Sequence, residues 1–373
     1  MAKPKAKTAL VRRSTRSSQK GNPTMPTEAA KMQLTEAEAA QLTTAQTAAA
    51  GEFLDGAHPR ANVLGLGVGV KWTNGQPTGE PALVVLVTQK LEKGSVAKSD
   101  LIPAKLADMQ TDVLSIGDPF AGGIAPQDVE AETLAKRVRP AKGGYSVGHK
   151  AITAGTIATG AYDLLPGATI SPPAPGLGIP RRFYILSNNH VLANSNAAAL
   201  GDAILQPGPF DGGTDPADRL ARLSRFIPIT FSPPVPLAFH RNLVDAAVAE
   251  VQFHDLDREL YWSGPVRGWR RKALVLPGML VKKTGRTTNF TTGRITVVNA
   301  TVDVNYGSGR VARFRDQIIT TAMSAGGDSG SLITTLDNVA VGLLFAGSPV
   351  VTIANQIENV RALLRVEVAE QIA

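Results

Sequence analysis

Gly326-Gly327-Asp328-Ser329-Gly330-Ser331 lies late in a β-rich, cysteine-free chain of 373 residues, and it reads as chemistry rather than packing. A serine hydroxyl attacks a carbonyl only when a base takes its proton and donors stabilise the oxyanion that forms. The flanking glycines admit steep dihedrals, so the amides of Gly327 and Ser329 can converge on one point while the serine side chain stays unobstructed. The same composition also suits an ordinary turn. The reading therefore needs a base and an orienting acid elsewhere in the chain.

Five histidines are available. His190 ends Phe183-Tyr184-Ile185-Leu186-Ser187-Asn188-Asn189-His190, where a β-prone apolar run gives way to polar residues, as at a strand end opening onto a cleft. It is the natural general base; the alternative is a histidine hydrogen-bonded at the edge of a core. His58 and His149 precede loop-like stretches, and His240 and His254 flank a strand without a polar elbow. Asp245 sits in Asn242-Leu243-Val244-Asp245-Ala246-Ala247-Val248-Ala249, where a lone acid is costly unless something pairs with it. A buried carboxylate is what holds a catalytic imidazole in one tautomer, although turn amides would also satisfy Asp245. Asp202, Asp211, Asp215 and Asp218 lie among Gly, Pro and Thr and read as loop residues.

The chain order is His190, Asp245, Ser329, with separations of 55 and 84 residues. That order excludes the α/β-hydrolase and subtilisin arrangements. With Gly-Asp-Ser-Gly at 327–330, the strand-end histidine and the Asp-Ala-Ala-Val segment at 245, residues 140–370 resemble the trypsin-like (chymotrypsin-fold) serine proteases. The resemblance implies a mainly β fold of two packed six-stranded barrels with a His190, Asp245, Ser329 triad in the cleft between them. It also implies a serine endopeptidase acting on protein or peptide substrates without a cofactor. Within that group, residues 186–193, Gln206-Pro207-Gly208 and residues 341–348 look like a branch of intracellular bacterial and plant proteins related to plant NARROW LEAF 1.

The same resemblance places the oxyanion hole at the amides of Gly327 and Ser329. It makes Leu344-Phe345-Ala346-Gly347 the edge strand that pairs with an extended substrate, with Gly347 leaving room for the entering side chain. Met323, six residues before Ser329, falls at the floor of the primary specificity pocket. An apolar floor disfavours Lys or Arg, because burying a cation without a carboxylate is expensive, so cleavage after a small or medium apolar residue is expected. Three features depart from the family pattern. Ser331 replaces a glycine, Asn188-Asn189 replace alanines, and no Ile-Val-Gly-Gly start follows a basic cleavage site, so that either Asp328 has another partner or the loop forms without one. The alternative function is a protease-fold binding protein that captures extended peptides by β-augmentation without turnover.

A net charge of +8 invites a nucleic-acid reading, but seven basic residues and no acid fall in residues 1–20, leaving +1 for the rest. A Lys, Arg and Ser tail over residues 1–30 is expected to be disordered and solubilising, with at most weak attraction to nucleic acid. The absence of cysteine fits a reducing compartment, no apolar run is long enough to span a membrane, and Arg12-Arg13 interrupts the only apolar start. A cytoplasmic protein is the expectation, and a homo-oligomer stays open. The histidines never pair at ligand spacing, so no metal is expected.

Thr35 followed by Glu38 is a capping-box signature, opening an Ala-rich helix within residues 31–56 that Gly51 should end and that should pack lightly. Residues 57–120 read as a small α/β module, with strands at 63–70 and 82–87 joined through Asn74-Gly75, a short helix at 103–109 and a third strand at 112–116. Gly65, Gly67 and Gly69 lack the helix and acid of a dinucleotide site and suit a closely packed strand. Residues 121–139 read as a linker with a helical piece at 127–137, ahead of the protease region at 140–373. Residues 353–364 read as a closing helix, and Pro172-Pro173-Ala174-Pro175-Gly176 and Pro233-Pro234-Val235-Pro236 as rigid surface loops.

Overall fold

A computed structural model describes residues 28–55, 60–122, 134–164, 180 and 182–369. The expected basic tail up to residue 27, most of the linker helix and the Pro172–Gly176 loop lie outside the described residues; residues 28–30 of the expected tail are helical, within Glu28–Lys31, and residues 134–137 of the expected linker helix are not helical. Six antiparallel strands close one barrel in the order Leu280–Gly285, Leu332–Thr335, Val339–Gly347, Val351–Gln356, Val311–Thr321 and Asn289–Asn305, the last pairing back onto the first. Closure removes the unpaired edges that an open sheet would expose. The other barrel is built from Ser146–His149, Gly160–Asp163, Phe183–Ser187, Ala203–Leu205, Arg219–Phe226 and Ala247–Val251. Residues 155–163 close it by serving two neighbours, since Ile157 donates its N–H to Tyr145 and Ala158 donates to Leu186. The fold is the chymotrypsin-type double barrel.

Inward alternation explains both barrels. Ile185, Ile204, Leu223 and Ala249 fill the first, and Val281, Ile318, Ile333 and Val341 fill one side of the second. Tyr184, Trp269 and Leu343 join the two, together with Ile357, Val360 and Leu364 of the C-terminal helix Ile357–Leu364. That helix is shorter than the sequence suggests. Residues 351–356 are taken by the barrel strand Val351–Gln356, because closing the sheet requires a partner for both 317–321 and 342–347.

The N-terminal segment continues the second barrel. Val63–Thr73 pairs with Asn289–Asn305 on one side and with Gln76–Val87 on the other, and Met109–Ser115 extends the sheet in parallel. Asn74 and Gly75 take the positive φ that a tight hairpin needs. The expected helix at 103–109 is instead a hairpin, with Lys105–Leu106 folding back on Met109 through Ala107 and Asp108 at positive φ.

Thr35 and Glu38 form the reciprocal cap, Thr35 N–H to Glu38 Oε2 at 2.8 Å and Glu38 N–H to Thr35 Oγ1 at 3.2 Å. The helix runs through exposed Gly51 to Asp55, and it packs more firmly than its composition suggests. Leu42 and Phe53 are buried against the sheet, each worth roughly 1.5–3 kcal/mol. Gln46 reaches through to Leu66 O and Thr301 Oγ1 at 3.0 and 3.1 Å.

The alternating glycines have a packing role. A Cβ on Gly65 would overlap the Thr301 carbonyl oxygen, and one on Gly67 would overlap Val297. Gly65→Ala is therefore expected to force the two strands apart and cost about 1–3 kcal/mol, read as a lower urea midpoint with an unchanged slope.

Candidate active site

The strand Phe183–Ser187 ends against the other barrel and passes into a single helical turn, Asn189–Leu192, that carries His190. Buried Asp245 grips that turn twice. Its Oδ1 accepts the His190 backbone N–H at 3.1 Å, and its Oδ2 faces His190 Nδ1 at 2.6 Å. Tyr306 donates its hydroxyl to the same Oδ2 at 2.7 Å, and the Asp245 N–H donates to Asn355 Oδ1 at 3.0 Å. A carboxylate bound in this way holds the imidazole with its proton on Nδ1 and its Nε2 lone pair available. Nε2 is buried and has no hydrogen-bond partner among the described residues.

Sequence reasoning passed over Tyr306 and Asn355. Tyr306 sits in a glycine-rich turn, Asn305-Tyr306-Gly307-Ser308, with no signal that it faces an acid 61 residues away. Burial, reinforced by the adjacent Asp245, pushes its phenol well above the ordinary tyrosine value. The folded state therefore keeps this proton to higher pH than the unfolded chain, whose phenol titrates near pH 10. The stability this contributes is complete below about pH 10 and is lost as pH rises through the folded value. Tyr306→Phe should cost about 1.5–3 kcal/mol near neutrality, and the deficit should narrow in urea titrations above roughly pH 10.

The asparagines that depart from the family pattern tie the turn in place. Asn188 Nδ2 donates to Asp245 O at 2.7 Å, while Asn189 bonds Ile227 O and both accepts from and donates to Asn196. Neither amide bonds the imidazole.

The loop 325–331 folds around Asp328, which is fully buried. Its carboxylate accepts from the N–H groups of Thr287, Thr288 and Ala325 at 2.9–3.1 Å, from Thr288 Oγ1 at 2.6 Å, and from Lys283 Nζ at 3.1 Å. Lys283, equally buried, is the charged partner of Asp328. Burial pushes its ammonium below the usual lysine range, and Asp328 opposes that shift. Its position was readable in principle, since Val281, Lys283 and Gly285 share one face of a strand whose Val281 points inward. Ser331 closes the turn by donating its hydroxyl to Asp328 O at 2.6 Å.

Gly327 and Gly330 both have positive φ, at 94° and 96°. A Cβ on Gly330 would collide with Ser187 and the Thr156 carbonyl, because the loop rests directly on the first barrel, with Thr156 N–H donating to Ser329 O at 2.7 Å. The N–H groups of Asp328, Gly330 and Ser331 are all satisfied, whereas those of Gly327 and Ser329 have no acceptor among the described residues. The Ser329 hydroxyl donates to Phe345 O at 3.4 Å and not to His190.

The remaining expected site residues are placed as follows. Met323 is buried, with its sulfur against Gly293, its carbonyl accepting from Thr291 Oγ1 and its N–H donating to Thr352 Oγ1. Phe345 packs its ring against Phe314, with centroids 4.7 Å apart. Ala346 and Gly347 are paired on one side with Ile353 and Thr352 and on the other with Ala121 and Phe120. Among the described residues, no group of three or more His, Cys, Asp and Glu side chains is placed to hold a metal. Likewise, none of their helices is long and apolar enough to cross a membrane.

No protein-family model matches the chain. A stretch of 69 residues is 44% identical to glutamyl endopeptidase 2 of Streptomyces griseus. It covers 18% of this chain and 34% of that protein, so the match spans about a third of the relative's length. The chain is similar to serine proteases. Among solved structures, protease A of Thermobifida fusca aligns with 14% identity and a TM-score of 0.41, covering 62% of this chain and 98% of that one. A glutamic acid-specific serine protease described as using a histidine triad in substrate binding aligns at 19% and 0.40, covering 61% and 98%. Cellulomonas bogoriensis chymotrypsin aligns at 16% and 0.39, covering 62% and 98%.

Proposed function

We propose that this protein is a serine endopeptidase in which Ser329 attacks the substrate carbonyl, His190 takes the serine proton on Nε2 and Asp245 stabilises the resulting imidazolium. The oxyanion is received by the N–H groups of Gly327 and Ser329. His190 then returns the proton to the leaving amine, and water hydrolyses the acyl-enzyme by the same route in reverse. The observation that carries the reading is the imidazole fixed by Asp245 with its Nε2 left without a partner. The Ser329 hydroxyl bonds Phe345 O rather than Nε2, and loose catalytic contacts before substrate binding are common.

The substrate strand would lie along residues 344–347, and the buried thioether of Met323 favours a small or medium apolar residue before the scissile bond. Capture of peptides without turnover is the competing reading. A fluorophosphonate probe separates the two: labelling of the wild type and not of Ser329→Ala supports hydrolysis, and labelling of neither leaves a binding protein. Cleavage of a peptide library after acidic residues, as the name of the Streptomyces relative suggests for that protein, would overturn the apolar preference alone.

A further inference from the structure

The edge expected to receive substrate is already filled. Ala121 lies opposite Ala346 and Phe120 opposite Gly347 in an antiparallel pairing, on the side of the strand that Ile353 and Thr352 leave open. The occupying segment is anchored upstream, where Ile116 donates its N–H to Val87 O, Gly117 donates to Thr88 O, and Ser348 Oγ donates to Ile116 O at 2.6 Å. Further along, Asn305 N–H donates to Pro119 O at 3.0 Å. Ala121 is buried in the same cluster as Phe345, Ala346 and Ile353. The Phe120 ring sits beside Gly307, 3.4 Å from where a Cβ on that glycine would stand.

We propose that Phe120–Ala121 is a tethered occupant of the substrate edge, which keeps the protein latent toward extended peptides until it is displaced. The displacing ligand is an extended peptide that sets an aromatic residue opposite Gly347 and a small residue after it. The inference rests on the reading of residues 344–347 as the substrate edge. A strand edge offers one row of backbone donors and acceptors, so two strands cannot hold it at once.

The described pairing ends at Ala121, one residue short of the position opposite Phe345. Gly122 has φ of 91°, a left-handed conformation that L side chains rarely adopt, and a Cβ there would meet nothing within 4 Å among the described residues. An extended peptide would place its next residue opposite Phe345, the residue whose carbonyl accepts the Ser329 hydroxyl. Tethering gives such an occupant an effective concentration on the order of millimolar, against which a free peptide must compete.

The test uses the full-length Ser329→Ala protein, so that peptide is not consumed, and follows the fluorescence anisotropy of a labelled hexapeptide containing Phe-Ala. Three proteins are compared: Ser329→Ala alone, with Ala121→Asp, and with Phe120→Gly. Ala121→Asp puts a carboxylate into an apolar cluster and should expel the segment, lowering the peptide Kd at least tenfold. Phe120→Gly, which removes only a half-buried ring, should give a smaller gain and serves if the aspartate variant does not fold. Equal Kd values in all three proteins, or no binding in any, overturns the inference. Fluorophosphonate labelling of the same proteins with Ser329 restored reports separately on catalysis. Labelling without a gain in peptide binding sinks the tethered occupant alone, and a gain in binding without labelling sinks the catalytic reading alone.

Discussion

Ser329→Ala is expected to lower turnover of a peptide substrate by about six orders of magnitude, equivalent to roughly 8 kcal/mol of transition-state stabilisation. The size follows from the way the groups act together. Without Oγ, the imidazole held by Asp245 has no proton to accept, and the free amides of Gly327 and Ser329 have no covalently formed oxyanion to receive. A residual acceleration of about 10³–10⁴ over water is expected from binding and the amides alone. The fold should be unaffected, since the hydroxyl makes one long bond to Phe345 O and sits in a loop fixed by Asp328. The measurement is kcat/KM on a peptide, together with an unchanged melting temperature. Undiminished cleavage by the variant would remove Ser329 from the mechanism.

The parts of this molecule that were readable in sequence are those in which local pattern and tertiary role coincide. Asp245 stood out because an isolated carboxylate in an apolar run needs a partner, and the partner is His190. The Thr35 and Glu38 cap, and the Asn74-Gly75 hairpin, are fixed by bonds within a few residues. What escaped sequence reading depends on contacts distant in the chain. The strand Asn289–Asn305 runs for 17 residues, bulges near Asn299 at positive φ, and carries both the barrel wall and the N-terminal sheet, so no local period reveals its second partner. The occupied edge depends on two residues, Phe120 and Ala121, whose own composition says nothing about pairing. The helix Glu36–Asp55 passes through Gly51 because tertiary burial of Phe53 and Leu54 outweighs roughly 1 kcal/mol of poor helix propensity.

Lys283→Met should be the most damaging substitution for stability, at about 3–5 kcal/mol, because it strands the Asp328 carboxylate in a dry interior. Four neutral donors remain to Asp328 from Thr287, Thr288 and Ala325, but hydrogen bonds alone do not replace the lost counter-charge. Urea midpoints of the wild type and of Lys283→Met would show this loss, and an unchanged midpoint would count against an uncompensated charge. Adding Asp328→Asn to Lys283→Met keeps an acceptor for the Thr287 and Thr288 amides while removing the charge, so most of the lost stability should return. Activity should recover less, because the carboxylate and the ammonium together hold the loop that sets the Gly327 and Ser329 amides. A double variant that regains stability but not turnover would separate the two roles of the pair: the fold can do without the charges, and the oxyanion loop depends on them.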